Sequence, residues 1–155
     1  MKSLSAETLY AILYLQVNLA SVVLLLIIRF RTLGLSRMVA QRNFSMAADA
    51  MMVFFASDTI WKMIETGILP YSPVMILICK NSYFLSTALM CYFWFVYFEY
   101  LQESPFVKNR KRIFLSSVGV WIQGIVLIIN LFTGILFYID DRGIYQRGSF
   151  FFSLY

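Results

Sequence analysis

The sequence predicts an all-α, polytopic transmembrane helix bundle with four full spans and the start of a fifth. Three observations carry this. The 155-residue chain is 61% hydrophobic and 14% charged, with a mean hydropathy of +0.74, whereas an ordinary soluble domain is about 45–50% apolar and about 25% charged. Its apolar residues fall into four blocks, each close to the roughly 20 residues that a helix rising about 1.5 Å per residue needs to cross a bilayer. The connections between blocks are short and are either basic or uncharged, as the loops of a multi-span chain are.

The first span covers about 8–28, "TLYAILYLQVNLASVVLLLII". The opening "MKSLSAETLY" lacks the basic start of a signal peptide, and no small-residue cleavage site precedes Arg29, so this span is expected to be retained. The second, about 44–66, begins apolar and ends in "SDTIWKMIET", which packs Asp58, Lys62 and Glu65 into ten residues. The third, about 74–101, is long enough to tilt or protrude. The aromatic run "YFWFVYFEY" at its end suits a membrane–water interface. The fourth covers about 113–139. After "DDRGIYQRG" the chain turns apolar again from about 149, the expected start of a truncated fifth span. The 155 residues therefore read as one transmembrane domain, expected to be part of a longer protein.

Charge sets an orientation. The connector after the first span carries Arg29, Arg31, Arg37 and Arg42 with no acid. The connector before the fourth carries Lys108, Arg110, Lys111 and Arg112 against Glu103. By the positive-inside rule both face the cytoplasm, which puts the N-terminus outside. The net charge of +5 thus belongs to lipid headgroups, and nucleic acid is not an expected partner. The "GILPYSP" connector is uncharged, and its glycine and prolines predict a tight turn.

Cys79 and Cys91 lie about 18 Å apart along one helix, too far for a bridge, and the chain has no histidine. No metal or other cofactor is expected. Walker, dinucleotide, zincin and nucleophile-elbow motifs are all missing, so no catalytic residue is assigned.

The ionisable residues inside the spans carry the functional reading. A charge deep in hydrocarbon costs about 2.5–3.5 kcal/mol on insertion scales. Counting helical rise from the outer end, Asp58 lies about 12 Å down, Lys62 about 6 Å, and Lys80 and Asn81 about 10 Å. Asn18 lies about 12–15 Å down and Asn130 about 13 Å. Asp58, Lys62 and Glu65 fall within about 60° on one helix face, and Asp58 precedes Lys62 by the four residues that favour an ion pair. Two readings stay open. In one, Asp58, Lys62, Lys80, Asn81, Asn18 and Asn130 border a pocket for a small polar ligand. In the other, Lys62 and Glu65 sit among headgroups, Lys80 snorkels, and Asp58 is satisfied by an interhelical hydrogen bond. Asp49, about 180° around the helix from Asp58, is expected to pair with Arg42 or Lys108 and to share no pocket with it.

The stretch "LFYIDDRGIYQRGSFFFSLY" resembles the end-of-span and outer-loop signature of N-terminal membrane sensor regions in bacterial signalling proteins, through Phe137, Tyr138, Asp140, Tyr145, Arg147, Gly148 and Tyr155. That family usually has Pro after the glycine, where this chain has Ser149. "ADAMMVFFASDTIWKMIETG" is similar to a second-span pattern of the same proteins. The resemblance implies a sensory input module that relays helix packing to a C-terminal cytoplasmic output domain absent from these residues. That domain is most often a GGDEF diguanylate cyclase and less often a histidine kinase. Its implied partners are the bilayer, a small polar ligand on the outer side and a second copy of the chain. The alternatives are a transporter or channel piece with Asp58 and Lys80 in an ion path, or an assembly subunit packed through Gly119 and Gly124.

Overall fold

The computed structural model describes residues 6–32, 38–140 and 145–149. Four helices run in order, α1 (Ala6–Thr32), α2 (Val39–Glu65), α3 (Pro73–Leu101) and α4 (Arg110–Thr133). Two short strands follow, β1 (Phe137–Ile139) and β2 (Tyr145–Arg147). Three helical stretches, Ile12–Thr32, Pro73–Leu101 and Arg110–Thr133, are long and apolar enough to cross a membrane. The chain is a helical membrane protein. The second helix is not among the three, because Asp49, Asp58, Lys62 and Glu65 dilute its apolar residues. The expected four spans therefore stand as three of that character plus a more polar α2.

That polarity is explained by position. α2 is one of two inner helices and packs against both α1 and α3. It buries Ser45, Ala47, Ala48, Ala50 and Ser57, small side chains that let neighbouring backbones approach closely where lipid supplies no hydrophobic drive. α1 and α4 lie at the flanks and turn large apolar side chains outward, among them Val17, Leu24, Leu115 and Ile128. Arg29 of α1 meets Asp49 of α2 and Tyr14 meets Asp58, so the two helices are antiparallel. Phe44–Trp94 and Phe54–Tyr83 contacts fix the same relation between α2 and α3. The basic connectors thus share one end of the bundle, and the α2–α3 turn shares the other with the strands.

Local signals set the helix ends. Ser72 caps α3, its hydroxyl accepting from the Met75 amide, and Pro73 follows at the first position. Asn109 caps α4 through the Lys111 amide. α2 begins at Val39, ahead of the expected 44, so Arg42 is helical. Arg29 and Arg31 occupy the last turn of α1, complementing its dipole. Arg110, Lys111 and Arg112 open α4, Lys108 lies just before it, and Arg37 lies outside the described residues.

The fourth helix ends six residues before the expected 139. Gly134 adopts a left-handed conformation at φ 63° and stops α4. The Asn130 side chain then catches the returning chain, its Oδ1 accepting from the Leu136 and Phe137 amides at 2.7 and 3.2 Å. Its Nδ2 donates to the Phe137 carbonyl at 3.2 Å. The apolar run that reads as helix becomes β1, paired antiparallel with β2 in the register Phe137–Arg147, Tyr138–Gln146 and Ile139–Tyr145. Phe137 is 0% exposed and packs with Phe84, Leu127 and Leu136 in the core beneath this hairpin. The expected fifth span lies outside the described residues apart from Ser149, which is in a turn.

Candidate functional site

At the hairpin end, α1, α2, α3 and β2 border an open cavity of about 620 Å³, within the roughly 300–1,000 Å³ of small-molecule sites. Asp58 is 7% exposed in its wall. The Tyr14 hydroxyl donates to Asp58 Oδ2, and Asn18 Nδ2 donates to the same oxygen at 3.3 Å. Tyr14 and Asn18 are one turn apart on α1, so a single helix face supplies both donors. This interhelical bonding meets the desolvation of the carboxylate, as the second of the two sequence readings expects.

Lys80 points inward rather than snorkelling to solvent. Its ammonium lies 3.0 Å from the centroid of the Trp61 ring, 5.0 Å from Tyr145 and 5.8 Å from Tyr83. Aromatic faces attract a cation through the ring quadrupole, and the attraction strengthens as water is excluded. Trp61 stands one turn after Asp58 on α2, so the carboxylate and the indole that holds Lys80 share a face.

The expected Asp58–Lys62 pair does not form. Lys62 Nζ contacts Glu65 Oε2 at 2.7 Å, one turn on, and leaves Asp58 to α1. Lys62 stays beside the site, 5.9 Å from the ring centroids of Tyr10 and Trp61, and does not line the cavity. Asn81 turns away as well, its Nδ2 bonded to the Leu77 carbonyl at 2.8 Å and its Oδ1 buried with no hydrogen-bond partner among the described residues. Asn130 is the hairpin anchor described above. Of the six residues expected to share one polar layer, Asp58, Asn18 and Lys80 come together, while Lys62, Asn81 and Asn130 serve elsewhere.

The hairpin completes the site. Tyr145, Gln146 and Arg147 of β2 form one wall. Tyr145 packs on Phe137, with ring centroids 5.9 Å apart, and Gln146 Nε2 donates to Asp140 Oδ2 at 3.3 Å. Gly148 sets the strand in place without lining the cavity. Its amide donates to the Leu136 carbonyl at 2.7 Å. A Cβ at this position would fall 1.9 Å from the Ile135 carbonyl oxygen, so no residue but glycine fits so close a backbone approach.

Asp49 pairs with Arg29 at 2.9 Å, not with Arg42 or Lys108. The α1 partner is nearer because the helices are antiparallel. Asp49 lines a separate apolar cavity of about 340 Å³ between α2 and α3, so the two acids do lie in different pockets. A groove of about 850 Å³ lies between the start of α3, the end of α4 and β1, with Asp140 as its charged lining residue.

Sequence reasoning missed Tyr14, Trp61, Tyr83, Phe84 and Gln146. A signal for three of them was available. Tyr14, Trp61 and Tyr83 each stand three or four residues from a singled-out polar residue, Asn18, Asp58 and Lys80 respectively, hence on the same helix face. The lining supplies two cationic groups, one carboxylate, hydrogen-bond donors and flat aromatic walls, the means of holding a small polar ligand. No family model, curated protein or solved structure matches the chain.

Proposed function

We propose that this chain is a membrane-embedded sensory input module of a bacterial signalling protein. It would lie in the cytoplasmic membrane with its N-terminus outside and pass changes in helix packing to a cytoplasmic output domain of diguanylate cyclase or kinase type. One observation carries the reading: a single polar cavity is walled by α1, α2, α3 and the strand that follows α4. A ligand seated there contacts three helices and the hairpin at once. Two packings that differ by a few kcal/mol respond to such a ligand if it binds one of them better, and a tenfold preference is worth about 1.4 kcal/mol.

The distribution of charge supports the orientation. Arg29, Arg31, Arg42, Lys108, Arg110, Lys111 and Arg112 gather at one end of the bundle and the cavity lies toward the other. With the basic end in the cytoplasm, the cavity lies in the outer half. Two measurements test the reading. In a background with Cys79 and Cys91 replaced by Ala, a membrane-impermeant thiol reagent should label Ser72→Cys in intact cells and Asn109→Cys only after permeabilisation. In the full-length protein, Asp58→Asn and Lys80→Gln should change signalling output. Unchanged output at normal expression would reject the sensory role.

A further inference from the structure

Two opposite charges face the cavity without meeting. Asp58 and Lys80 both line it, yet among the described residues no carboxylate lies within 4.0 Å of the Lys80 nitrogen. Each is tied to its own neighbours instead. The Tyr14 hydroxyl and Asn18 Nδ2 both donate to Asp58 Oδ2, and Oδ1 has no hydrogen-bond partner among the described residues. A carboxylate offers about four lone-pair sites on its two oxygens, so Oδ1 keeps its acceptor capacity. The Lys80 ammonium lies against the Trp61 ring, and an indole on one side leaves N–H donors directed away from that ring. Arg147 of β2 already interacts within the chain. The charged groups left to meet a ligand are therefore one carboxylate oxygen and one ammonium, and their charges cancel.

A ligand with a single charge would answer one member of this pair and leave the other desolvated without a partner, which costs affinity. A ligand with both charges answers each and adds no net charge to the site. Tyr83 and Phe84, edge-to-face with ring centroids 5.3 Å apart, supply aromatic wall for an apolar body. We propose that the cavity binds a zwitterion, a small apolar molecule carrying an ammonium and an acid group, as an apolar α-amino acid does. Its ammonium donates to Asp58 Oδ1, and its acid group accepts from Lys80 Nζ. This names the ligand class for the sensory site proposed above and rests on that reading. Asp58 belongs to α2 and Lys80 to α3, so the ligand links the two helices through its own two charges.

Two sources share this chemistry, a soluble amino acid and the headgroup of phosphatidylethanolamine, which joins an ammonium to a phosphate. The test uses full-length protein in nanodiscs of phosphatidylglycerol with and without phosphatidylethanolamine. Equilibrium binding is measured with radiolabelled phenylalanine, phenethylamine and hydrocinnamate, which share one body and carry both charges, the cation alone and the anion alone. Phenylalanine should bind saturably and at least about tenfold more tightly than either analogue. Asp58→Asn and Lys80→Gln should each weaken phenylalanine at least about tenfold, with opposite changes of preference. Relative to the parent, the asparagine variant should shift toward the acid and the glutamine variant toward the amine. If phosphatidylethanolamine displaces phenylalanine, the lipid is the source; if not, the soluble amino acid is. The proposal is overturned if phenylalanine does not bind, if either analogue binds as tightly, or if both variants shift preference the same way or not at all. Opposite shifts with signalling output unchanged would keep the zwitterion site and reject the sensory role. Loss of output on Asp58→Asn, with no phenylalanine binding to the parent, would do the reverse.

Discussion

Lys80 of α3 sits face-on to Trp61 of α2, its Nζ 3.0 Å from the indole centroid. The contact joins the two most extensively packed helices at the level of the cavity. A cation–π contact is worth about 0.5–1 kcal/mol when exposed and about 2 kcal/mol when desolvated. A double-mutant cycle of Trp61→Leu and Lys80→Met, read by unfolding in detergent, should therefore give a coupling of about 1–2 kcal/mol. A value near zero would show that the two side chains do not interact.

Asp58 is the acceptor for two α1 donors, the Tyr14 hydroxyl and Asn18 Nδ2. Asp58→Leu leaves both without a partner, whereas Asp58→Asn keeps an acceptor oxygen. Thermal unfolding of the purified protein should place the leucine variant about 1–2 kcal/mol below the asparagine variant. Tyr14→Phe removes one donor and should cost less, about 0.6 kcal/mol, the average for hydrogen bonds between membrane helices.

Asn130 holds the chain after α4 by three hydrogen bonds to residues 136 and 137. Asn130→Ala leaves two buried amides without their acceptor. Hydrogen exchange at Leu136 and Phe137 should then quicken by about tenfold or more, a local opening free energy lower by about 1.4 kcal/mol. Asn130→Asp retains the acceptor but sets its second oxygen against the Phe137 carbonyl, so it should restore only part of the protection. Equal exchange in the alanine and parent proteins would disprove the anchor.

Gly148 meets the Ile135 carbonyl so closely that a methyl group cannot enter. Gly148→Ala should detach β2 from its register and remove the wall that carries Tyr145 and Arg147. The expected readout is lost exchange protection at the amide of residue 148, which in the parent donates to Leu136, with helix content by circular dichroism unchanged. Retained protection would mean that the backbone shifts to admit the methyl group.

By itself the sequence determined the helical membrane class, three helices long and apolar enough to span, the tight α2–α3 turn and the positions along each helix at which polar side chains occur. These follow from composition, length and rise along one helix, which are properties of local chain. It also marked Tyr145, Arg147 and Gly148, though only the folded chain gives the reason: Gly148 lets β2 approach the Gly134–Leu136 backbone, and the other two then face the cavity. Tertiary structure alone decided which polar residues meet. Counting along the helices puts Asn18, Asp58, Lys80, Asn81 and Asn130 at one expected level, but meeting also depends on how each helix is rotated about its axis. That rotation is set by packing of side chains on different helices, such as Ala47 and Ala48 of α2 at a buried seam. So Asp58 turns to Tyr14 rather than Lys62, Lys80 to Trp61, and Asn130 to the backbone of a hairpin whose apolar residues read locally as more helix.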